Sequence, residues 1–438
     1  MSNCNFQRRR FSTLLALGIG ASITLCGAIE QAALAQPQPV EIVYATFLDP
    51  NNQNDPRAAA QTRMIAAFEK ANPNIKVRVQ VDPTQQASLR ALRSRSATPD
   101  VFRVANFSLP EFVATNSMVQ LDDLLKRDNV SDSDWLIPLS AGRVNGHVYG
   151  MQQDYRIPLL LYRKSLFQQA GVSPPKTWAE VCQVGGKLST GNVVGFAVPV
   201  GTSGGLGGAQ PLAEYLFSSM VSEDSGRYFA GNNREFAADK AQVIRTLRTL
   251  KDLYGQCKAT PMTSLQFGYT EVHDGLRAGT IASAIFGLFR VRAIEQGGAG
   301  DDLGWAPPPV FSPTGKQATY GYMVSINSNT ANKEAAWQFA KFMGSPEAQA
   351  IAAEGGEVVA RASVYSNAYF ASPAGARQKE WSQLVKERGR MVNYSVLTTT
   401  FNQILGDAVQ RMILRNATPE EAYQELDTRY KEALAKSP

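Results

Sequence analysis

The sequence predicts a large α/β protein, and three observations support that prediction. The chain has 438 residues, enough for two domains with separate hydrophobic cores. Its first folded segments run strand, helix, strand, and elements of both kinds continue to the C-terminal end. Hydrophobic residues make up 44% of the composition and charged residues 19%, which is typical of a soluble globular protein.

The first 35 residues are predicted to be a cleaved export signal outside this fold. Arg8–Arg10 form a basic head, and the apolar stretch 14–29 after it is shorter than the ~20 residues a membrane span needs. Ala33–Ala35 is a small-x-small cleavage site. An uncleaved anchor is the alternative. We therefore expect a periplasmic protein that begins near Gln36.

The N-terminal part of the mature chain predicts the start of an α/β sheet. "VEIVYATF" from Val40 is rich in β-forming residues, and a helix is expected over Ala59–Ala71. "IKVRVQV" from Ile75 alternates apolar and polar residues, as a half-buried strand does. "ATPDVFRVAN" predicts a further strand that ends at Asn106, and a helix over Leu109–Ser117 follows it.

The rest of the chain continues this alternation. The apolar run Ile157–Tyr162 predicts a buried strand, and Thr177 with Glu180 forms a capping box at the start of a helix. Later segments predict a strand "VVGFAVPV", a glycine-rich loop at 201–208, a helix within 237–257, a strand that turns at Gly287, a strand "ATYGYMVSIN", a helix capped by Asn332, and a second capping box at Thr418–Glu421.

Composition excludes several classes of function. The formal net charge is +6 with no dense Lys/Arg block, so no nucleic-acid partner is predicted. The two histidines and the absence of HExxH and CxxC patterns argue against a metal or iron–sulfur site, and no cofactor is predicted. Cys182 and Cys257 are the cysteines of the mature chain. In an oxidising compartment they are expected to lie within bridging reach, with two separate buried thiols as the alternative.

A secreted hydrolase is the alternative function. Gly201–Gly205 fits G-x-S-x-G after a strand, and Asp224 and His273 follow Ser203 in hydrolase order. A chain with 35 glycines can form this pattern by chance, and a flexible loop that lines a cleft is the favoured interpretation. Paired carboxylates of a glycoside hydrolase are also not excluded, because no two acids stand out at a defined separation.

The stretch from Val148 to Val181 resembles the central signature of extracellular solute-binding proteins of carbohydrate ABC transporters. That family shows Tyr-Gly, a polar segment, an apolar strand ending in Tyr-x-Lys, then Phe, Gly, Pro-Pro-x-Thr-Trp and an acid. The matching residues are Tyr149, Gly150, Tyr162, Lys164, Phe167, Gly171, Pro174, Pro175, Thr177, Trp178 and Glu180. Four further segments match in the expected order, so the resemblance spans nearly the whole mature chain.

The resemblance implies a two-lobe periplasmic-binding-protein fold (type II) with a ligand cleft between the lobes. It divides the chain into a signal peptide (1–35), lobe 1 (36–152 and 304–344) and lobe 2 (153–303 and 345–438). It also implies a monomer that is not an enzyme and that binds a sugar or glycoside. Its partners would be the permease subunits and ATPase of an ABC importer.

The same resemblance implies a set of ligand-binding residues in the cleft. Phe289 replaces a tryptophan that commonly stacks on sugar, and Arg290 follows it. Arg156 stands where relatives often place an acid, which suggests an acidic or acceptor-rich glycoside, unless Arg156 pairs with Asp154 or another acid and leaves a neutral-sugar site. The full expected set is Phe47, Asp49, Asn106, Asp154, Tyr155, Arg156, Phe289, Arg290, Tyr320, Gly321, Tyr322, Arg361 and Asn402.

Overall fold

The computed structural model describes residues 39–52, 54–201 and 209–437. The expected export signal and the Ser203 motif lie outside these ranges. The strands are β1 (Val40–Thr46), β2 (Ile75–Val81), β3 (Val101–Ala105), β4 (Met151–Gln152), β5 (Pro158–Arg163), β6 (Phe229–Ala230), β7 (Glu235–Phe236), β8 (Ser283–Gly287), β9 (Leu303–Ala306), β10 (Gln317–Ala318), β11 (Tyr322–Ile326) and β12 (Gly389–Arg390). The helices are α1 (Pro56–Ala71), α2 (Gln86–Arg93), α3 (Leu109–Val113), α4 (Asp122–Arg127), α5 (Lys164–Gln169), α6 (Trp178–Leu188), α7 (Ser218–Ser222), α8 (Lys240–Tyr254), α9 (Tyr269–Ala278), α10 (Val291–Ile294), α11 (Lys333–Met343), α12 (Pro346–Glu354), α13 (Pro373–Arg388), α14 (Thr398–Leu414) and α15 (Pro419–Ala435).

A five-stranded sheet organises the first lobe. Its order is β2-β1-β3-β11-β4, with β1 parallel to β2 and β3, and β11 antiparallel to β3 and β4. The rings of Tyr44 and Phe68 each lie 5.1 Å from the ring of Phe339, which joins β1, α1 and α11 in one core. All three side chains are fully buried, and each contributes roughly 1.5–3 kcal/mol of hydrophobic stabilisation.

A three-stranded antiparallel sheet organises the second lobe. Its order is β8-β5-β9, so the predicted buried strand is the central one. Leu159, Leu160 and Leu161 are fully buried, which means that both faces of β5 are covered. Trp178 of α6 packs edge-on against Phe196 with ring centroids 6.1 Å apart, so it is a core residue, as the sequence indicated.

Local capping explains where several helices begin. Asp55 accepts a hydrogen bond from the N–H of Arg57 at 3.0 Å, and Pro56 occupies the first turn, so α1 starts three residues before the expected Ala59. The second predicted capping box is confirmed, because Thr418 Oγ1 accepts from the Glu421 N–H at 3.1 Å and the Glu421 carboxylate accepts from the Thr418 N–H at 2.7 Å.

Three local predictions are wrong in part. Thr177 caps α6, but the Glu180 carboxylate accepts from the Lys176 N–H at 2.7 Å instead of closing the box. Asn332 occupies the N-cap position of α11, but its side-chain amide donates to Glu41 O at 3.3 Å and makes no capping hydrogen bond. The segment "VVGFAVPV" is not a regular strand, because it makes only isolated bridges to residues 281 and 284 and contains Pro199, which has no N–H to donate.

Three chain segments run side by side between the two sheets. The N–H of Tyr155 donates to Val358 O at 3.0 Å, and Arg156 and Tyr320 exchange backbone hydrogen bonds of 2.7 and 2.9 Å. A side chain on Gly321 would place its Cβ 2.1 Å from the carbonyl oxygen of Asp154, so only glycine allows this close approach. These crossings form the floor between the lobes.

The lobe boundaries by residue number remain a prediction. Strand β9 pairs with β5, so residues 303–306 belong with the second sheet, although the expected return to lobe 1 was at 304. Helix α12 packs against α1, although residues after 345 were expected in lobe 2. Both observations favour crossings later in the chain than those expected.

A disulfide joins two helices of the second lobe. Cys182 in α6 and Cys257 just after α8 are bonded, with their Cα atoms 5.0 Å apart. The bond closes a loop across 75 positions of the sequence and holds the end of α8 against α6.

Candidate functional site

A cavity of about 350 Å³ opens between the two lobes. Its volume is at the lower end of the range of small-molecule sites, roughly 300–1,000 Å³. The first lobe supplies the end of β1, the start of α1 and the turn before α2, while the second supplies the segments near α9 and after β8. The lining residues are Phe47, Arg57, Pro83, Thr84, Gln85, Arg156, Gln210, Pro211, Glu214, Tyr215, Tyr269, Phe289, Arg290, Tyr320 and Tyr322. We call this space the cleft cavity.

Arginines alternate with aromatic rings around the cleft cavity. The guanidinium of Arg156 lies 4.8 Å from the ring centre of Phe289 and 5.2 Å from that of Tyr322. Arg57 lies between Phe47 and Phe289, at 5.6 and 5.1 Å. Such contacts are worth roughly 0.5–2 kcal/mol each and hold rings and guanidinium groups in fixed positions. Guanidinium groups of the protein therefore cover part of the aromatic surface on which a sugar would stack.

A buried ion network lies beneath this floor. Arg103 of β3 is 3.2 Å from both Asp154 and Glu357, and Arg156 Nε is 2.8 Å from Asp154. The second end of the Arg156 guanidinium pairs with Glu357. Every side chain in the network is at most 5% exposed. Because these residues come from β3 and two of the crossings, the network ties the crossings together.

The network perturbs the pKa values of its two acids in opposite directions. Burial raises the pKa of Asp154, and the neighbouring charge of Glu357 adds to that rise. Burial also opposes ionisation of Glu357, but the guanidinium groups of Arg156, Arg103 and Arg57 outweigh it and hold its pKa below the usual range. Glu357 is therefore the firmly ionised partner of the two arginines.

Among the described residues, three buried oxygen atoms of the cleft cavity lack a hydrogen-bond partner. They are Gln85 Oε1, Glu214 Oε1 and Tyr320 Oη, on side chains that are at most 5% exposed. Gln85 also has a positive φ of 59°, which is strained for a residue other than glycine. Unpaired buried polar groups are costly, so atoms of this kind in a cavity favour a bound polar ligand as their partner.

Burial favours the protonated form of the Glu214 carboxyl. Burial raises the pKa of its carboxyl well above the usual range, although Gln210 hydrogen-bonds to it and Arg156 is near. A protonated carboxyl offers one O–H group and retains an acceptor oxygen. The cleft cavity can therefore both donate to and accept from ligand hydroxyls.

The structure brings six of the expected ligand-binding residues to the cleft cavity. They are Phe47, Arg156, Phe289, Arg290, Tyr320 and Tyr322. Arg156 pairs with acids of the protein, which is the alternative expected from the sequence, because Asp154 and Glu357 both neutralise it. Asp154 lies below the floor and faces the arginines.

The remaining expected residues have structural contacts elsewhere. Asp49 accepts from the N–H of Asn51 in an exposed loop, and Tyr155 Oη donates to Ile137 O at 2.7 Å. The Asn106 amide bonds to backbone atoms of Thr319 and Gly321, at 3.0 and 3.1 Å. Gly321 lacks a side chain and so allows two of the crossings to lie close together. Arg361 stacks 3.8 Å above Trp135, and Asn402 is buried within α14.

Several residues of the cleft cavity were not expected from the sequence. Arg57, Gln85 and Tyr269 carry no local signal, because they are an ordinary helix residue, a helix cap and a helix start. Glu214 and Tyr215 follow the glycine-rich loop at 201–208, which had been interpreted as lining a cleft. That loop was the one available signal.

Within residues 39–52, 54–201 and 209–437, no three His, Cys, Asp or Glu side chains are grouped so as to hold a metal ion. No helix in the same ranges is long and apolar enough to cross a bilayer.

Comparison with known proteins assigns the family. The family of bacterial extracellular solute-binding proteins matches residues 51–350. The chain belongs to that family. The resemblance found in the sequence is therefore confirmed, and the match covers the second sheet, every strand of the first sheet except β1, and the crossing at residues 153–156.

Relatives of this solute-binding protein differ in what their names say they bind. The probable amino-acid ABC transporter periplasmic-binding protein y4oP of Sinorhizobium fredii is 27% identical over 215 residues, 47% of this chain and 46% of that protein. The sn-glycerol-3-phosphate-binding periplasmic protein UgpB of Salmonella typhimurium is 23% identical over 199 residues, 42% of this chain and 44% of that protein. The chain thus spans less than half the length of these two curated relatives.

A solved structure supports the two-lobe fold. The sugar-binding protein MalE of Xanthomonas citri matches with a TM-score of 0.71 at 24% identity, over 91% of this chain and 98% of that one. At this level of identity the likeness establishes the fold, and the two-lobe prediction is confirmed.

Proposed function

We propose that this solute-binding protein is the ligand-binding component of an ABC importer. It binds a sugar or glycoside in the cleft cavity and delivers it to permease subunits that an ATPase drives. It acts in the periplasm as a monomer, after removal of a signal peptide near Ala35, and binds without chemical conversion. Lobe closure around a ligand is the standard transition of periplasmic binding proteins.

One observation carries the proposal. The cleft cavity holds unpartnered buried atoms on Gln85, Glu214 and Tyr320, next to the rings of Phe289 and Tyr322. Sugar hydroxyls both donate and accept hydrogen bonds, so they match this mixture of groups. The rings offer the apolar surface that the faces of a sugar ring require. The name of the sugar-binding protein MalE supports the same ligand class, and so do two structural neighbours that were solved with maltose and with α-D-tagatose.

Equilibrium binding tests the proposal. Thermal-shift and calorimetric titrations would use neutral mono- and oligosaccharides, amino acids and glycerol 3-phosphate. A ligand at 100 times its dissociation constant adds about 2.7 kcal/mol to stability, an easily measured shift. A sugar should bind without being consumed. Binding of amino acids alone would overturn the carbohydrate assignment, and turnover of a bound glycoside would favour the hydrolase.

A pair of conservative variants links any binding to the cleft cavity. Tyr320→Phe removes an unpartnered buried hydroxyl that lines the cavity, whereas Tyr44→Phe removes one that lies in the core of the first lobe. Tyr320→Phe should weaken sugar binding about 2- to 12-fold, the equivalent of one hydrogen bond of roughly 0.5–1.5 kcal/mol. Tyr44→Phe should leave it unchanged. Equal effects of the two variants would place the site elsewhere.

A further inference from the structure

A second cavity, of about 240 Å³, adjoins the cleft cavity. Arg57, Phe289 and Arg290 contribute to the lining of both. The remaining walls come from the loop before α1, from α10 and from α13, so this cavity also lies between elements of the two lobes. We call it the side cavity. A ligand group that passes Phe289 from the cleft cavity would enter it.

The side cavity has an excess of positive charge. Arg57 pairs with Asp55 at 2.6 Å, and Arg377 pairs with Glu295 at 2.7 Å. Arg290 and Arg292 also line it, and neither forms an ion pair with a carboxylate in the described part of the chain. The internal stretches that the structure does not describe, Gln53 and residues 202–208, contain no acidic residue. Two guanidinium groups therefore line the side cavity without an ion pair to a described carboxylate, although the charge of Asp55 acts on Arg290.

Arg290 is held in place by contacts other than an ion pair. Its Nε donates to Tyr269 Oη, and its guanidinium lies 4.8 Å from the ring centre of Tyr269 and 5.5 Å from that of Phe289. These contacts leave the two terminal nitrogens as donors at the wall that the two cavities share. A fixed guanidinium fork loses little entropy when it binds an oxyanion.

Two buried polar atoms at the side cavity lack partners in the described part of the chain. Trp381 and Gln378 line it and are 4% and 3% exposed, yet Trp381 Nε1 and Gln378 Oε1 make no hydrogen bond to a described residue. The other end of the Gln378 amide donates to Ala353 O at 2.9 Å, which fixes its orientation. An indole N–H can only donate, so Trp381 requires an acceptor that no described residue supplies.

We propose that the side cavity binds the anionic group, a phosphate or a carboxylate, of a ligand whose neutral part occupies the cleft cavity. This inference rests on the proposed function and narrows its ligand to an acidic glycoside. Arg290 and Arg292 supply the positive charge, and the Trp381 N–H supplies a directed donor. Arg156, which the sequence suggested for this role, cannot fill it because Asp154 and Glu357 already neutralise it.

Inorganic phosphate is the first probe of the side cavity. Calorimetry and tryptophan fluorescence would follow its binding to the purified exported protein. Arg292→Gln removes an exposed side chain at the cavity, and Arg415→Gln removes an exposed one at the end of α14, outside both cavities. Arg292→Gln should weaken phosphate binding about tenfold or more, since hydrogen bonds between charged groups are the strong ones. Arg415→Gln should match the wild type.

Trp381→Phe tests whether the Trp381 N–H binds phosphate by a hydrogen bond, as distinct from electrostatic attraction by the arginines. It keeps an aromatic ring in the wall and removes the N–H, so phosphate binding should again weaken while folding, checked by thermal unfolding, is retained. Absence of phosphate binding to the wild type, together with no gain in affinity for glucuronate over glucose, would overturn the inference. So would equal phosphate affinity in Arg292→Gln and Arg415→Gln.

A second titration, with glucose, glucose 6-phosphate and glucuronate, distinguishes a phosphate from a carboxylate. It also separates the two proposals. Binding of a neutral sugar with no gain from either acidic group would overturn the side-cavity inference and leave the proposed function in place. Binding of inorganic phosphate with no binding of any sugar would support the anion site and overturn the proposed function.

Discussion

Glu357→Gln is the sharpest test of the ion network beneath the cleft cavity. The change keeps the shape of the side chain and removes its charge. Arg103 and Arg156 would then share the single carboxylate of Asp154 at sites that are at most 4% exposed. Removal of one partner from a buried ion pair typically costs about 3–5 kcal/mol, because a charge is left uncompensated in the interior. We expect a loss of that size in the free energy of unfolding.

The matched control is Glu354→Gln, three positions earlier. Glu354 pairs with Arg63, but the two side chains are 45% and 53% exposed. Solvent screens such a pair, so its removal should cost about 0–1 kcal/mol. Urea unfolding at neutral pH, followed by circular dichroism, gives both values. A difference between the two variants of less than about 1 kcal/mol would refute the reasoning.

The same network predicts how the loss of stability in Glu357→Gln depends on pH. The arginines hold the pKa of Glu357 below that of an ordinary glutamate. Its stabilisation is therefore fully present above the ordinary value, about 4.3, and is lost as the pH falls towards the lower value in the folded protein. The difference in the free energy of unfolding between the wild type and Glu357→Gln should accordingly become smaller as the pH falls. A difference that grows on acidification would contradict the lowered pKa of Glu357.

Two further outcomes are expected. Cys182→Ser removes a disulfide that spans 75 positions of the sequence. In urea unfolding without reductant, this change should lower the free energy of unfolding by about 4 kcal/mol. If reductant leaves the stability of the wild type unchanged, the bond with Cys257 does not form. Burial raises the pKa of Glu214, so its contribution to wild-type stability is lost as the pH rises above the ordinary glutamate value. Glu214→Gln removes this titration and should therefore stabilise the protein at neutral and alkaline pH. The gain should vanish below about pH 4, and the exposed control Glu432→Gln should show none; a gain at low pH instead would reverse the assigned protonation state.

Local features of the sequence determined most of the secondary structure and the family. The capping box at Thr418 and Glu421, the alternation in β2 and the apolar run of β5 depend on residues a few positions apart. Local chemistry is enough to form them, whatever the rest of the chain does. The family signature also placed Phe47, Phe289 and Tyr322 at the cleft cavity, because the order of elements in this fold brings the ends of those strands together.

Pairings between distant residues were decided only by the tertiary structure. Pairing of Arg156 with Asp154 was open to a sequence argument, but Glu357 is 201 positions from Arg156, and only the folded chain shows that it is the second partner. The family resemblance implied that Asn106 and Tyr155 contact the ligand, yet backbone groups of the protein are the hydrogen-bond partners of both. The side cavity joins α10 to α13, and folding buries the Trp381 N–H there without an acceptor among the described residues. Burial and partner identity arise from packing between segments far apart in sequence. For that reason the sequence suggested Arg156 as the group that binds an anion, and only the structure led to the side cavity instead.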